Sequence, residues 1–207
     1  MFSPQISDNI NEAVIALRNG GVVAYPTDTL YGLGANPGME MAIHKLLAIK
    51  GRSHSKGLPL LLDNIQSVET IVSEFPKIAQ SLCAHFWPGA LTLILPAKSH
   101  LSKLITGNSG NVAVRVPNHP IPRTLAAAIG GSIIGTSANM SNSSNLISAK
   151  EVSGILGDRL EFVLDGGQIE NDAPSTVLDL TGTSPSIVRI GTLSIVEIEH
   201  TISVKLK

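Results

Sequence analysis

Leu58-Pro59-Leu60-Leu61-Leu62 is a nearly all-apolar run. A strand exposed on one face would alternate apolar with polar residues. An unbroken run of this length instead predicts a central strand covered on both faces, the pattern of an α/β sheet. Helical and strand-like segments surround it. Ile10, Ala13, Val14 and Leu17 fall at i, i+3, i+4 and i+7, with Ser7 or Asp8 as N-cap and Gly20-Gly21 as the stop. Val22 to Tyr25 predicts a short strand ended by Pro26, and Met39 to Ile49 a second helix. Helical patterns follow over 65–73 and 77–85, then strands over 91–95 and 112–116. Pro120 opens a helix to Ile129, Ser132–Ile134 is a strand, and Ser148 is placed to cap a helix through Leu156. Strands are predicted over 162–164, 176–180, 187–190 and 195–198. Their close succession argues for antiparallel pairs added to the sheet. The expectation is an α/β (α+β) single domain: one twisted, open mixed sheet flanked by helices.

Composition narrows the function. At 207 residues and 43% hydrophobic content, the chain can bury roughly 70% of the surface its unfolded form exposes. The net charge is −1, so a nucleic-acid partner would need a local basic patch. The single cysteine, Cys83, excludes an intramolecular disulfide. It sits in a helical pattern beside Leu82 and Phe86 and reads as a buried thiol in a reducing compartment. No run approaches the ~18 apolar residues of a membrane helix. No basic region precedes an apolar core at the N-terminus, so the expected location is cytoplasmic. The six histidines lack metal-ligand spacing, which argues against a protein-held metal site.

Four segments carry polar chemistry. Pro26 to Gly34 holds the hydroxyls of Thr27, Thr29 and Tyr31, the carboxylate of Asp28, and two glycines. It reads either as a turn with local side chain–backbone bonds or as a ligand loop whose glycines let backbone approach closely. Gly32-Leu33-Gly34 lacks the third glycine and the ribose-binding acid of a dinucleotide fingerprint. Lys45, Lys50, Arg52 and Lys56 concentrate four cations in twelve residues, in a chain with only 15 Lys and Arg. Lys50 and Arg52 lie where a helix ends and the chain is expected to become extended, so both side chains can face one anion. Arg115 interrupts Val112-Ala113-Val114-Arg115-Val116 and by alternation shares a face with Ala113. A charge there either faces solvent or meets an anion. Gly135-Thr136-Ser137-Ala138-Asn139 leaves a strand as a small-residue loop without the spacing of a nucleophile elbow. It suits hydrogen bonding to a ligand better than covalent attack.

Taken in order, Pro26-Thr27-Asp28-Thr29-Leu30-Tyr31-Gly32-Leu33-Gly34, Lys50-Gly51-Arg52, Trp87-Pro88-Gly89-Ala90-Leu91-Thr92, Val112 to Pro117 with His119-Pro120, Ser137-Ala138-Asn139, Pro174-Ser175-Thr176-Val177 and Val188-Arg189 resemble the YrdC family, the L-threonylcarbamoyl-AMP synthases. The resemblance covers residues 8 to 195 and leaves 196–207 as a C-terminal tail, like the single-domain form of the family. It implies conversion of L-threonine, bicarbonate or CO2, and ATP into threonylcarbamoyl-AMP and pyrophosphate, with Mg²⁺ on the phosphates. The product would feed N6-threonylcarbamoyladenosine synthesis on tRNA through threonylcarbamoyl-transfer proteins. Carried over by position, Lys50, Arg52 and Lys56 would hold the phosphates, Lys50 and Arg52 being the catalytic cations. Asn111, Asn139, Ser148 and Arg189 would complete the nucleotide site. Thr27, Thr29, Arg115, Ser137 and Ser175 would bind threonine, with Arg115 on its carboxylate. The chain departs from the family pattern at Ser53, at Asn142 and over 143–147. Two other readings follow from the same resemblance. One is a non-enzymatic protein binding tRNA or double-stranded RNA, which the low aromatic content (3%) disfavours. The other is a carbamoyl-transfer module of hydrogenase maturation, usually found in longer chains with zinc-finger segments.

Overall fold

Leu60 and Leu62 pack into one hydrophobic core and Leu61 into another. The alternation of a strand thus sends its leucines to opposite faces, both of them covered. A computed structural model describes residues 4–51, 55–139, 145–169 and 173–206. The chain runs α1 (Pro4–Arg18), β1 (Val23–Tyr25), β2 (Gly32–Gly34), α2 (Glu40–Lys50), β3 (Leu60–Leu62), α3 (Val68–Ile71), α4 (Lys77–Phe86), β4 (Leu91–Pro96), α5 (Lys103–Thr106), β5 (Asn111–Arg115), α6 (Pro120–Ala128), β6 (Ser132–Ile134), β7 (Thr136–Ser137), α7 (Ala149–Leu156), β8 (Phe162–Val163), β9 (Thr176–Asp179), β10 (Ser186–Arg189) and α8 (Ile195–Ile202).

The strands form two mixed sheets: β7-β2-β1-β8 and β10-β9-β4-β5-β3-β6. The expected mixed sheet with flanking helices is therefore present, with its ladder divided in two. In the larger sheet, Val112 and Val114 of β5, Leu91, Leu93 and Leu95 of β4, and Leu178 of β9 all face the main core. That leaves the intervening residues of the same strands on the other face. Leu61 joins Val23, Tyr25, Ile121, Leu125 and Ile133 in the second core, which packs α1 and α6 against the sheets.

Several elements differ from the sequence reading. The first helix begins at Pro4 rather than after Ser7 or Asp8. Proline fits the first helical turn because the N–H it lacks has no helical partner there. Residues 195–198 form the start of α8, not a strand. Ile198 is fully buried on the main core while Val196 is 74% exposed, so the apolar residues follow a helical face although β-branched residues favour strands locally. The later strands are not all antiparallel pairs: β8 joins β1 and β9 joins β4 in parallel, and only β10 pairs antiparallel with β9. Short strands do not encode their partners, and these partners lie far away in the chain. Two segments expected as loops, Gly32–Gly34 and Thr136–Ser137, pair with each other as β2 and β7.

Gly34 faces packing rather than a ligand. A Cβ there would collide with the Tyr25 ring and lie 2.7 Å from Ile133 Cδ1. Tyr25 is fully buried and donates its hydroxyl to the Ile134 carbonyl at 2.9 Å. Burial raises its pKa far above the usual phenol range. Cys83 is also buried, and burial pushes its thiol up to about 12, the state of an inert core residue.

Gly34→Ala is expected to lower stability by about 1–3 kcal/mol through overpacking. Gly154 lies within α7 with nothing within 4 Å of its would-be Cβ, so Gly154→Ala is expected to raise stability by about 0.5–1 kcal/mol. Urea unfolding of both variants checks the contrast; equal effects would contradict the packing account.

Candidate active site

The free face of the larger sheet forms the floor of a cavity of about 660 Å³. Thr92 and Ile94 of β4, Ala113 and Arg115 of β5, and Val177 and Asp179 of β9 line it. These are the residues that alternate with the core-facing set. Thr27, residues 29–32, Ser137 and Asn139 wall one side, and Ser175 and Arg189 another. Asn111 lines the cavity as well.

Arg115 is 5% exposed. Its Nε donates to the Gly89 carbonyl at 2.8 Å, Nη1 donates to Thr29 Oγ1 at 3.1 Å, and Nη2 forms an ion pair with Asp28. The solvent-facing alternative for Arg115 is thus replaced by burial against an anion, and that anion belongs to the protein. Burial lowers its pKa, while the Asp28 charge and hydrogen bond raise it. Asp28 therefore opposes the cost of keeping a buried cation charged. Removing one partner of such a pair costs about 3–5 kcal/mol. The Gly89 carbonyl reaches Arg115 from a turn in which a Cβ at 89 would collide with the Phe86 carbonyl. This accounts for glycine within Trp87-Pro88-Gly89.

Thr27 organises its own turn. Its hydroxyl accepts from Thr29 N–H and Leu30 N–H, each at 3.1 Å, and lies 2.7 Å from the Leu30 carbonyl, to which it donates. The turn reading of this segment and the cavity-wall reading both hold. Ser175 Oγ lies 2.8 Å from Thr92 Oγ1 and accepts from Arg189 Nη2 at 3.0 Å. Arg189 Nε donates to the Ser175 carbonyl at 3.0 Å. Desolvation and the Arg115 charge both lower the pKa of Arg189, an exposed residue of β10, so the cavity holds two arginines together with Asp179.

Lys50 is 3% exposed beneath the 137–139 segment. Its Nζ donates to the Ser137 carbonyl at 2.6 Å, to the Asn139 carbonyl, and to Asn139 Oδ1 at 3.1 Å. Ser137 Oγ donates to the same Oδ1 at 2.6 Å. Lys50 thus ties the end of α2 to the loop that carries Ser137 and Asn139. Gly51, directly after it, is not extended but closes the helix in the left-handed conformation, with φ 56°. Arg52, like Ser53 and Asn142, lies outside the described residues. Lys56 is exposed beside the cavity-lining Ser55 and Gly57. Lys45 pairs with Glu161 at 2.9 Å, away from the cavity. Ser148 caps α7, accepting from Glu151 N–H at 3.3 Å, as the helix reading expected.

Sequence reasoning did not single out Thr92 or Asp179 for the site. The signal was available, because both alternate with core residues in runs that were read as strands. Asp28 was noted only as a loop carboxylate; its pairing with Arg115, 87 positions away, has no local signature.

A buried arginine, a second and exposed arginine, and small hydroxyls around a cavity on a mixed sheet define an α/β protein with a polar, partly cationic pocket. Residues 15–191 match the model of the Sua5/YciO/YrdC family, described as telomere recombination, and the chain belongs to that family. It is 38% identical over 186 residues to the threonylcarbamoyl-AMP synthase of Pyrococcus abyssi, covering 90% of this chain and 55% of that one. It is 35% identical over 176 residues to that of Chromohalobacter salexigens, covering 85% of this chain and 95% of that one. The structure of P. abyssi Sua5 complexed with L-threonine superposes with a TM-score of 0.91 at 36% identity, over 96% of this chain and 58% of that one. The chain thus spans little more than half the length of the Pyrococcus relative.

His119 caps α6 by accepting the Ile121 N–H on Nδ1 at 3.2 Å, so that nitrogen carries no proton. Burial lowers its pKa below the usual 6.5, partly opposed by Asp28. The unfolded chain then takes up the imidazole proton first as pH falls. Its contribution to stability is full above pH 6.5 and declines as pH drops from there toward the lowered folded value. Urea midpoints between pH 7.5 and 5 are expected to fall less steeply in His119→Asn, which keeps a cap acceptor without the titration. Identical slopes would remove His119 from the acid response.

Proposed function

We propose that the protein is an L-threonylcarbamoyl-AMP synthase, joining L-threonine, bicarbonate or CO2, and ATP into threonylcarbamoyl-AMP and pyrophosphate. One observation carries the reading. Arg115 is buried on the floor of the cavity with unspent N–H donors, in a family whose relatives bear this name. A planar guanidinium suits a carboxylate taken in bidentate fashion.

In this reading Arg115 holds the threonine carboxylate, and Thr27, Thr29, Ser137 and Ser175 surround the rest of the amino acid. The free amine captures CO2 as a carbamate and gives up a proton to water, or to the hydroxide left when bicarbonate supplies the CO2. A carbamate oxygen then attacks the α-phosphorus, and pyrophosphate leaves. No covalent intermediate with the protein is needed; positioning two anions and neutralising charge at phosphorus is the work. Arg52, Lys56 and Arg189 face the phosphates, with Asn111 and Asn139 on the nucleotide and Ser148 near it. Lys50 supports the same region through the 137–139 loop and supplies positive charge beneath it.

Magnesium would arrive on the triphosphate as part of the substrate. Among the described residues no group of three or more His, Cys, Asp and Glu side chains converges to hold it separately. The chain's part is then to supply cations and N–H donors around the phosphates. Residues 8–195 carry the motifs of the reaction, and α8 beyond them packs on the same core through Ile198 instead of trailing as a tail. The product is a mixed anhydride, which a threonylcarbamoyl-transfer protein would deliver to tRNA in the cytoplasm. Among the described residues no helix is long and apolar enough to cross a membrane.

Pyrophosphate release that requires both threonine and bicarbonate, with product mass by spectrometry, tests the assignment. Lys50→Ala and Arg52→Ala are each expected to lower that release by at least about 100-fold, the scale seen when a group stabilising transition-state charge is removed. Arg115→Ala is expected to raise the KM for threonine far more than the KM for ATP. Wild-type rates in the first two variants, or an unchanged threonine KM in the third, would overturn the respective roles.

A further inference from the structure

Thr27 and Thr29 line the cavity, and Asp28 between them does not. Its side chain is 15% exposed and turns instead to Arg115. A guanidinium has five N–H groups. Arg115 uses one on each nitrogen: Nε on the Gly89 carbonyl, Nη1 on Thr29 Oγ1, and Nη2 on Asp28 Oδ1. One N–H remains on each terminal nitrogen, the number that a bidentate carboxylate takes.

We infer that Asp28 is a positioning residue for amino-acid capture: it holds the guanidinium plane of Arg115 so that the two remaining N–H groups are kept ready for the α-carboxylate of the substrate. This rests on the reading of Arg115 as the carboxylate partner. The three acceptors come from two separate parts of the fold: the turn after β1, which supplies Asp28 Oδ1 and Thr29 Oγ1, and the 87–90 turn before β4, which supplies the Gly89 carbonyl. Together they engage all three guanidinium nitrogens. Asp28 is the only one of the three that is charged.

The support for Asp28 is itself rigid. The Thr27 hydroxyl bonds to Thr29 N–H, Leu30 N–H and the Leu30 carbonyl, which closes the turn that aims residue 28. An arginine on a long flexible stem would otherwise lose side-chain entropy when it bound a ligand. Here that loss is met during folding, which leaves more of the interaction energy for the carboxylate. Because Asp28 stands outside the cavity lining, it works through Arg115 and does not touch the ligand.

The test compares steady-state kinetics of pyrophosphate release with calorimetric titration of L-threonine on the folded protein. Asp28→Ala is expected to raise the KM for threonine at least about tenfold, with kcat and the KM for ATP within about threefold of wild type, the signature of lost substrate binding rather than lost chemistry. Asp28→Asn retains an acceptor for Nη2 and is expected to recover most of the loss. Where Asp28→Ala is too unstable to assay, Asp28→Leu, which fills similar volume without an acceptor, carries the same expectation. A folded variant lacking the acceptor with a wild-type threonine KM would overturn the inference, as would an equal rise in the KM for ATP. Arg115→Ala separates the two levels. If it leaves threonine binding unchanged, the carboxylate reading itself fails. If it weakens binding while Asp28→Leu does not, only the positioning role of Asp28 fails.

Discussion

A cation buried in a sheet must find an anion, and in this protein the consequence reaches across both sheets. Arg115 ends β5 of the six-stranded sheet, whereas Asp28 and Thr29 follow β1 of the four-stranded sheet. Their contact therefore fixes how the wall of the cavity stands on its floor. The Gly89 carbonyl adds the turn before β4 to the same junction. Displacing any one of these would leave a charge or a strong donor buried without a partner, which is costly in a medium that solvates ions poorly.

The cavity follows from strand periodicity. Valines and leucines at alternate positions of β4, β5 and β9 commit one sheet face to the core. Threonine, arginine, alanine and aspartate between them are left on the other face. Thr92, Arg115 and Asp179 share that face with Ile94, Ala113 and Val177, and it opens on the cavity. Lys50 and Gly34 show how the surroundings are arranged for this purpose. Lys50 bonds the loop carrying Ser137 and Asn139 from beneath, and Gly34 leaves room for the Tyr25 ring that supports β6. In both cases a residue that resembles ligand chemistry in the sequence acts through packing or hydrogen bonds to the site.

Much of the site was legible before the fold was known. The alternation around Arg115 correctly placed it with Ala113 and opposite Val112 and Val114. Ser148 was correctly read as a helix cap. What was not legible depended on distance along the chain. The Asp28–Arg115 pair, the Lys50 contacts to residues 137 and 139, and the Thr92–Ser175 contact join positions 83 to 89 residues apart. No local pattern records such a pairing.

The sequence by itself determined which residues form helices and strands over most of the chain, and which face of each central strand is apolar, because periodicity and capping act within a few residues. It also contained the ordered motifs that mark the family. Only the tertiary structure decided that the ladder splits into two sheets, that β8 and β9 join their partners in parallel, and that 195–198 coil into a helix against the main core. The same holds for the anion that Arg115 meets. These outcomes depend on which distant surfaces can exclude water together and on which buried charges can neutralise each other, and both are properties of the assembled fold.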